Sequence, residues 1–396
     1  MHAEVQSNFA GLMEKTFAIW NLNFSTIELM LLSVVAISFL AQVYYNFKYF
    51  LSATKGKNVD GDSPDGVSVI VCARNEEANL MELIPIIMEQ EFQKFQLIVV
   101  NDSSWDDTAD ILKALQVSYP SMHIIEINED KQIMQGKKFA LTLGIKAAMY
   151  DVVLLTDADC RPTSSNWITE MTKGVGERKE IALGFSGYKK YPGYLNKLIR
   201  FDAFITGLNY LGFAKTGRPY MGVGRNLCYT KTAFFRIGGF RTHYKLASGD
   251  DDLFVKEAST ARNTQNIFHY DAQTLSEPHK SWAKWSFQKK RHFTTAPLYR
   301  GSVKFSLMLW PLTYFVLWMA AIALSVIYPI PVVWAVLGGI IFLRYLIQFI
   351  VLNVSCNKLK ISKDILWLFP LLEHHLFLVH SVLYLHNLVR KPQKWN

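Results

Sequence analysis

The chain contains only 4 cysteines among 396 residues. They show no paired spacing of the kind that binds zinc, and they lie at Cys72, Cys160, Cys228 and Cys356. The sequence therefore argues against a zinc-binding module. In a reducing cytoplasm we expect all four side chains to be free thiols.

Other patterns are also missing. The sequence has no internal repeats, no pattern typical of a nucleic-acid-binding module, and no basic segment with a small-residue cleavage site at its N-terminus. Basic residues nevertheless outnumber acidic ones, 42 to 33, and the formal net charge is +9. Because much of this charge lies beside long apolar runs, we expect attraction to membrane lipids and no binding of nucleic acid. The first apolar run is predicted to be an uncleaved anchor.

Three apolar runs, residues 29–45, 305–328 and 332–352, are about long enough to cross a bilayer. The third contains Arg344, whose charge is costly inside a membrane, so we expect it to face protein, a lipid headgroup or water. Residues 365–388 are also apolar but contain one glutamate and four histidines. A spanning helix, a re-entrant segment and an interfacial helix all remain open there.

Lys and Arg residues beside the three runs predict their orientation. They follow the first and third runs and precede the second, which places the polar middle of the chain in the cytoplasm of a multi-pass plasma-membrane protein. We predict a tail and membrane anchor at residues 1–50, a linker at 51–66, a cytoplasmic domain at 67–300 and a C-terminal membrane region at 301–396.

The middle of the chain alternates between strand-like and helix-like segments. Apolar runs at residues 67–71, 96–100, 122–127 and 152–155 are separated by helical patterns at residues 79–90 and after Gly136. This rhythm predicts an α/β fold with a mostly parallel sheet. In such sheets the ligand binds outside the carboxyl ends of the strands, so polar residues there are candidates for a functional site.

The fourth strand candidate ends in Asp157 and Asp159. Two carboxylates at that position suit a hard divalent ion that also holds phosphate oxygens. A solvated turn or a helix cap is the alternative for so short a motif.

Polar residues also follow the earlier strands. Arg74, Asn75 and Glu76 offer charged and amide groups that could bind a base edge. Asp102 could accept hydrogen bonds from a base or a ribose, or could cap a helix. Lys137, near a helix start, could bind a phosphate or could be a solvated surface lysine.

Two later clusters complete the set of candidates. Residues 250–252 are three adjacent aspartates, whose repulsion is costly unless a helix N-terminus, a cation or catalysis uses them. We expect at least one to cap a helix, as we expect of Ser103 and Ser104, and another to be a candidate general base. Gln288 and Arg291 share one helix face, in a segment that also suits an aromatic and basic membrane interface.

In order and spacing, these motifs resemble those of membrane-bound, inverting family 2 glycosyltransferases. The resemblance covers residues 67–292 and rests on Ala73-Arg74-Asn75-Glu76, Asn101-Asp102-Ser103-Ser104, Gly136-Lys137, Asp157-Ala158-Asp159, Gly222 to Asn226 and Asp250-Asp251. Ala73 stands where the family commonly has proline, and Asn101 replaces an acid. Gln288-x-x-Arg291 resembles a motif of processive polysaccharide synthases. In that motif a tryptophan follows the arginine, whereas this chain has His292.

The resemblance implies a Rossmann-like mixed sheet of GT-A type with N- and C-terminal transmembrane helices. It implies a nucleotide-sugar donor, preferably with uridine, bound by Ala73, Arg74, Asn75, Glu76, Asp102, Lys137 and Asp157. It also implies Mg²⁺ or Mn²⁺ at Asp159 and Asp157, Asp251 as catalytic base with Asp250 as its competitor, and Gln288 and Arg291 beside the acceptor and the pyrophosphate. The acceptor would be a glycan or a lipid-linked molecule, and addition of one sugar or of many stays open.

Two classes of protein other than an enzyme could also carry such motifs. A catalytically silent membrane scaffold would bind a nucleotide, but nucleotide binding alone gives Asp251 no task. A transporter with a nucleotide-sensing domain would need a transport path through the membrane. Three spans are few for such a path, and these spans contain few polar residues.

Overall fold

The computed structural model describes residues 26–56, 61–127, 136–176, 179–246 and 248–389. The chain divides into two compact units, one containing residues 26–43 and 309–344 and the other containing residues 44–308 and 345–389. The predicted domain boundaries after residues 50, 66 and 300 stay predictions. Residues 1–25 of the predicted tail and residues 57–60 of the predicted linker lie outside the described residues.

The helices include three that suit a membrane. In chain order the helices are α1 (Thr26–Tyr45, continued by a π-helical segment over Asn46–Leu51), α2 (Glu77–Met88), α3 (Thr108–Ser118), α4 (Lys137–Ala147), α5 (Trp167–Thr172), α6 (Tyr194–Lys215), α7 (Lys231–Arg236), α8 (Asp252–Ala258), α9 (Trp282–His292), α10 (Gly301–Ile327), α11 (Pro331–Leu359) and α12 (Phe369–Val389). Helix α1 with its π-helical segment, α10 and α11 are long and apolar enough to cross a membrane, with 26, 27 and 29 residues. The three predicted apolar spans are therefore confirmed as helices, and each helix begins earlier than the predicted run.

Arg344 of α11 is buried against protein. Its guanidinium donates to Gln42 Oε1 at 2.9 Å and lies 5.0 Å from the ring centroid of Tyr314. Gln42 in turn donates to the Trp310 carbonyl and to Thr313 Oγ1, at 2.7 Å each. Arg344 therefore faces protein, which is one of the three environments expected for its charge.

The strands form two sheets. They are β1 (Val67–Ala73), β2 (Phe95–Asp102), β3 (His123–Ile127), β4 (Val152–Asp157), β5 (Cys160–Pro162), β6 (Ile181–Gly184), β7 (Ser186–Tyr188), β8 (Leu227–Thr230), β9 (Thr264–Ile267) and β10 (Thr274–Ser276). The main sheet has the order β3-β2-β1-β4-β8-β6-β9, and the small sheet has the order β5-β10-β7. Strands β3, β2, β1 and β4 are parallel, whereas β8 is antiparallel to both of its neighbours. The predicted mixed α/β sheet is confirmed.

Helices cover the main sheet because its central strands are apolar on both faces. In β1, Val69, Ile70 and Val71 are fully buried. Leu83 of α2 shares a core with Val69 and Val71. On the face of Ile70, helix α4 packs through Gly144, where an added Cβ would lie 2.7 Å from Ile70 Cγ2. Glycine at this position therefore permits the close approach of helix and strand.

Three segments differ from their predicted extents. Strands β1 and β2 each continue two residues beyond the predicted ends, because backbone pairing persists to Ala73 in β1 and, with β3, to Asp102 in β2. Helix α2 begins at Glu77, earlier than the predicted residue 79. All four cysteines are free thiols, as predicted.

Helix α12 occupies most of the apolar region that the sequence left open. It is not among the candidate membrane spans found in the described chain. As part of the second unit, it packs on other helices of that unit: His375 Nδ1 lies 2.9 Å from the hydroxyl of Tyr194 in α6, and the His380 ring packs edge-on against Phe293 at 5.0 Å. Helix α12 thus borders both α6 and the end of α9.

Candidate active site

The carboxyl ends of three neighbouring strands lie side by side. Ala73 of β1 pairs with Asn101 of β2, and Cys72 of β1 pairs with Asp157 of β4. Asp102 is buried at the end of β2, and Arg74, directly after β1, is half-buried. Parallel pairing therefore brings the residues predicted to bind a nucleotide to one edge of the main sheet.

The loops after β1 and β2 are joined by hydrogen bonds. The N–H of Asn75 donates to Ser104 Oγ at 2.9 Å, and the N–H of Trp105 donates to Asn75 Oδ1 at 3.0 Å. Asn75 and Ser103 take left-handed backbone angles, with φ of 58° and 55°. Such angles are uncommon outside glycine and concentrate at functional sites.

The prediction that Ser103 and Ser104 cap a helix is wrong. Helix α3 begins only at Thr108, and its cap position is Asp107. Ser103 Oγ instead donates to the Ile127 carbonyl at 2.9 Å. The left-handed angle at Ser103 turns the chain before a helix can start.

Glu76 faces the turn that follows β4. Its N–H donates to Thr108 Oγ1 at 3.0 Å, which fixes the backbone. Burial raises the pKa of Glu76 to about 7, and the charges of Asp159 and Asp157 act in the same direction. The three carboxyl groups are thus close enough to influence one another.

Lys137 connects two groups of carboxylates. It is the first residue of α4, after Gly136, whose φ of 104° suits glycine. Its Nζ lies 2.6 Å from Asp157 Oδ1 and 3.3 Å from Asp250 Oδ2. Burial opposes the charge on Lys137, but the two carboxylates outweigh it and raise its pKa. The lysine is therefore a charged bridge between β4 and the aspartate cluster.

Asp157 and Asp159 have the chemistry of a divalent metal site. Burial raises the pKa of Asp159, and the charge of Asp157 raises it further, so a cation beside both would be favourable. Among the described residues, no group of three or more His, Cys, Asp or Glu side chains is arranged to hold a metal ion. The pair fits an ion that takes its remaining ligands from phosphate and water.

The three adjacent aspartates have three different environments. Asp250 contacts Lys137; burial alone would raise the pKa of Asp250, but the lysine outweighs it and holds the pKa below its usual range. Asp252 accepts hydrogen bonds from Thr295 and, at 2.6 Å, from the hydroxyl of Tyr299. Repulsion within the cluster is thus relieved by separate partners.

Asp251 is the residue that caps a helix, as expected of at least one member. Its Oδ1 accepts from the Asp252 N–H at 2.7 Å, and its Oδ2 accepts from the Gly224 N–H at 2.9 Å. Burial raises the pKa of Asp251 to about 7, with the charges of Asp250 and Asp252 adding to the effect. A carboxyl group with this pKa is suited to accept a proton near neutral pH.

Gly224 brings the loop before β8 against these charges. An added Cβ there would lie 3.5 Å from Lys137 Nζ, 3.7 Å from Asp250 Oδ2 and 3.7 Å from Asp251 Cβ. The glycine loop, the lysine and two aspartates therefore border one small space.

Arg225 is a site residue that the sequence reasoning missed. Its guanidinium donates to Ser276 Oγ at 3.0 Å and lies 4.4 Å from the ring centroid of Tyr188. Its charge lowers the pKa of Asp159, against the larger effect of burial. The only sequence signal was a basic residue within a glycine loop, which does not reveal its neighbours.

Helix α9 carries Gln288 and Arg291 on one face, three residues apart. Between them, Lys289 forms a buried ion pair with Asp202 of α6, whose side chain is 2% exposed. His292 is exposed at the end of the helix. In the same segment Trp285 is fully buried in protein whereas Trp282 is 44% exposed, so the membrane interface stays a prediction.

Part of the chain matches a known protein family. The family model described as Glycosyl transferase family 2 matches residues 68–243. That segment includes β1 to β8 and ends before the aspartate cluster and α9.

Two curated relatives are glycosyltransferases. Over 116 residues the chain is 27% identical to the poly-beta-1,6-N-acetyl-D-glucosamine synthase of Staphylococcus aureus. The aligned segment makes up 29% of this chain and 27% of the synthase. Over 211 residues it is 25% identical to glycosyltransferase AglE of Haloferax volcanii, covering 51% of this chain and 64% of the relative. The match thus spans about a quarter of the synthase and less than two thirds of AglE.

One solved structure shares the fold. The mannosyltransferase PcManGT from Pyrobaculum calidifontis, in complex with GDP-Man and Mn²⁺, superposes with a TM-score of 0.58 at 18% identity. The superposition covers 85% of this chain and 99% of that chain. The expected GT-A-like fold is therefore confirmed.

Proposed function

From the match of residues 68–243 to the glycosyl transferase family 2 model, we propose that the chain moves a sugar from a nucleotide-sugar to a hydroxyl group of an acceptor at the membrane. The reaction is a metal-dependent single displacement that inverts the anomeric configuration. The acceptor is a glycan or a lipid-linked molecule, and the resemblance to membrane-bound family 2 glycosyltransferases favours uridine as the donor nucleotide.

One observation carries the proposal: Lys137 contacts Asp157 at 2.6 Å and Asp250 at 3.3 Å. Asp157 belongs to the end of β4, where a diphosphate would bind, whereas Asp250 adjoins the candidate base. A leaving diphosphate and an attacking hydroxyl would therefore meet beside the same ammonium group.

The donor nucleotide binds at the ends of β1 and β2 in this proposal. Asp102 accepts hydrogen bonds from the base or the ribose, and the segment from Ala73 to Glu76 borders the base. Asn75 supports that segment through its bond with the Trp105 N–H at 3.0 Å. The strained angle at Asn75, with φ of 58°, is consistent with a position that serves binding.

Asp251 acts as the general base. It takes the proton of the acceptor hydroxyl while that oxygen attacks the anomeric carbon on the face opposite the diphosphate. The Gly224 N–H holds one carboxylate oxygen at 2.9 Å and so fixes the direction of the side chain. Lys137 and Arg291 stabilise the negative charge that develops on the leaving diphosphate.

Asp159 and Asp157 hold Mg²⁺ or Mn²⁺ when the donor is bound. The ion supplies positive charge that neutralises the diphosphate. The fold neighbour PcManGT was solved with GDP-Man and Mn²⁺, which supports a metal of this class.

The acceptor reaches the site beside α9, where Gln288 and Arg291 share a face. Because α10 and α11 are candidate membrane spans that follow α9 in the chain, the acceptor site lies near the membrane. The positive flanks of the spans favour a cytoplasmic catalytic domain.

The test uses the purified full chain in nanodiscs with a panel of nucleotide-sugars. We expect one donor to release nucleotide in an acceptor-dependent reaction that EDTA stops and Mg²⁺ or Mn²⁺ restores. Asp159→Asn should abolish this release, whereas Asp110→Asn, whose side chain is 80% exposed, should not affect it. Full activity in EDTA would contradict the metal, and no release from any donor would contradict the enzyme.

A further inference from the structure

Lys138, the residue after the bridging lysine, makes three hydrogen bonds to backbone carbonyls. Its Nζ donates to His243 O at 2.7 Å, to Leu246 O at 2.9 Å and to Ser248 O at 2.7 Å. Lys138 is 6% exposed. Since an ammonium group has three donors, all three are used and none remains for a phosphate.

The segment that accepts these bonds leads directly to the aspartate cluster. His243 and Ser248 are buried, and buried carbonyls require a partner. Gly249, with φ of 106°, then turns the chain into Asp250 and Asp251. The position of the candidate base therefore depends on a segment that Lys138 holds.

The two adjacent lysines thus hold the same region in different ways. Lys137 contacts the Asp250 side chain, while Lys138 contacts the main chain that precedes it. We propose that Lys138 is a positioning residue for transfer, which fixes the carbonyls of His243, Leu246 and Ser248 so that Asp251 faces the acceptor hydroxyl. This inference rests on the proposed function, in which Asp251 is the base.

The expected effect follows from the geometry. Methionine at position 138 matches the length of the lysine but leaves three carbonyls without their donor, so the segment can shift. A displacement of about 1 Å at a catalytic group costs on the order of 100-fold in rate. The residues proposed to bind the nucleotide, at the ends of β1, β2 and β4, do not belong to this segment, so nucleotide affinity should stay within about twofold, a change worth less than about 0.5 kcal/mol.

The experiment measures kcat, donor KM and the dissociation constant of the nucleoside diphosphate for the full chain in nanodiscs. The variants are Lys138→Met, Asp251→Asn and the double substitution, and the matched control is Lys146→Met, an exposed lysine of the same helix. We expect Lys138→Met to lower kcat about 100-fold at unchanged nucleotide affinity. The double variant should be no slower than Asp251→Asn, because a residue that acts through the base adds nothing once the base is gone.

Three results would overturn the inference: wild-type kcat in Lys138→Met, an equal loss of kcat and nucleotide affinity, or a multiplicative loss in the double variant. If Lys138→Met does not fold, the same measurements on Lys138→Arg test the inference. Its planar group reproduces only part of the three bonds, so it should lower kcat and not nucleotide affinity; an unchanged kcat would contradict positioning. Normal transfer by Asp251→Asn alone would instead refute the proposed function, and so the two failures are distinguishable.

Discussion

Replacing Asp251 with asparagine removes the group that is proposed to accept the acceptor proton and changes little else. The amide keeps one oxygen, so either the Gly224 N–H at 2.9 Å or the Asp252 N–H at 2.7 Å retains its acceptor. The other loses it, at a cost of about 1 kcal/mol. The substitution also removes the repulsion between Asp251 and its two acidic neighbours, which offsets this cost.

The catalytic loss should be much larger. A positioned general base contributes roughly 10²–10⁴-fold to a rate. A loss of about 10³-fold in kcat corresponds to about 4 kcal/mol of transition-state stabilisation. Nucleotide affinity should be unchanged, because the Asp251 carboxylate accepts hydrogen bonds from Gly224 and Asp252, which lie outside β1, β2 and β4.

Folding provides an independent check with a defined sign. The pKa of Asp251 in the folded chain, about 7, is raised above its ordinary value. The stability that this group contributes is therefore present at low pH and is lost as the pH rises through 7. Asp251→Asn removes this dependence, so its unfolding temperature should rise relative to wild type between pH 5 and pH 8.

The assay combines transfer of a labelled sugar, calorimetric binding of the nucleoside diphosphate and thermal unfolding. Asp110→Asn is the control, since that carboxylate is exposed and forms a surface ion pair with Lys113. Transfer by Asp251→Asn within tenfold of the wild-type rate would refute the role of base and move it to Asp250.

Three further outcomes are expected. Lys137→Met should weaken nucleotide binding at least tenfold in calorimetry, since two carboxylates lose their shared cation, and wild-type affinity would argue against the bridge. The kcat/KM of the wild type should rise with pH and level off above about pH 7, because Asp251 must be ionised to accept a proton. A flat profile between pH 6 and 8 would contradict the role of Asp251 as base. Asp202→Asn should leave Lys289 buried beside a neutral partner and destabilise the fold by about 3 kcal/mol in thermal unfolding, whereas an unchanged midpoint would show that the pair is not structural.

The position of the site could be predicted from sequence because it depends on local patterns. Buried apolar runs give the parallel strands, and the polar residues directly after them must gather at one edge. Asp102 and Asp157 therefore lie at the same edge of the sheet, at the ends of the two strands that flank β1. The match of residues 68–243 to the glycosyl transferase family 2 model includes that edge of the sheet.

The division of labour within clusters could not be predicted in the same way. Lys137 and Lys138 are adjacent in sequence, and only the packing of α4 on the sheet determines which one faces the carboxylates. Asp250, Asp251 and Asp252 likewise acquire their partners from separate distant segments of the chain. Arg225 was missed because its neighbour Ser276 comes from β10, 51 residues later.

The small sheet has a consequence for how much of the chain must be kept together. Strand β10 lies between β5 and β7, yet it follows the end of the matched family segment at residue 243. A fragment limited to residues 68–243 would lose that middle strand and also β9, the edge of the main sheet. It would expose three unpaired strand edges, which favour aggregation. The smallest piece able to fold by itself therefore extends well beyond the segment by which the family is recognised.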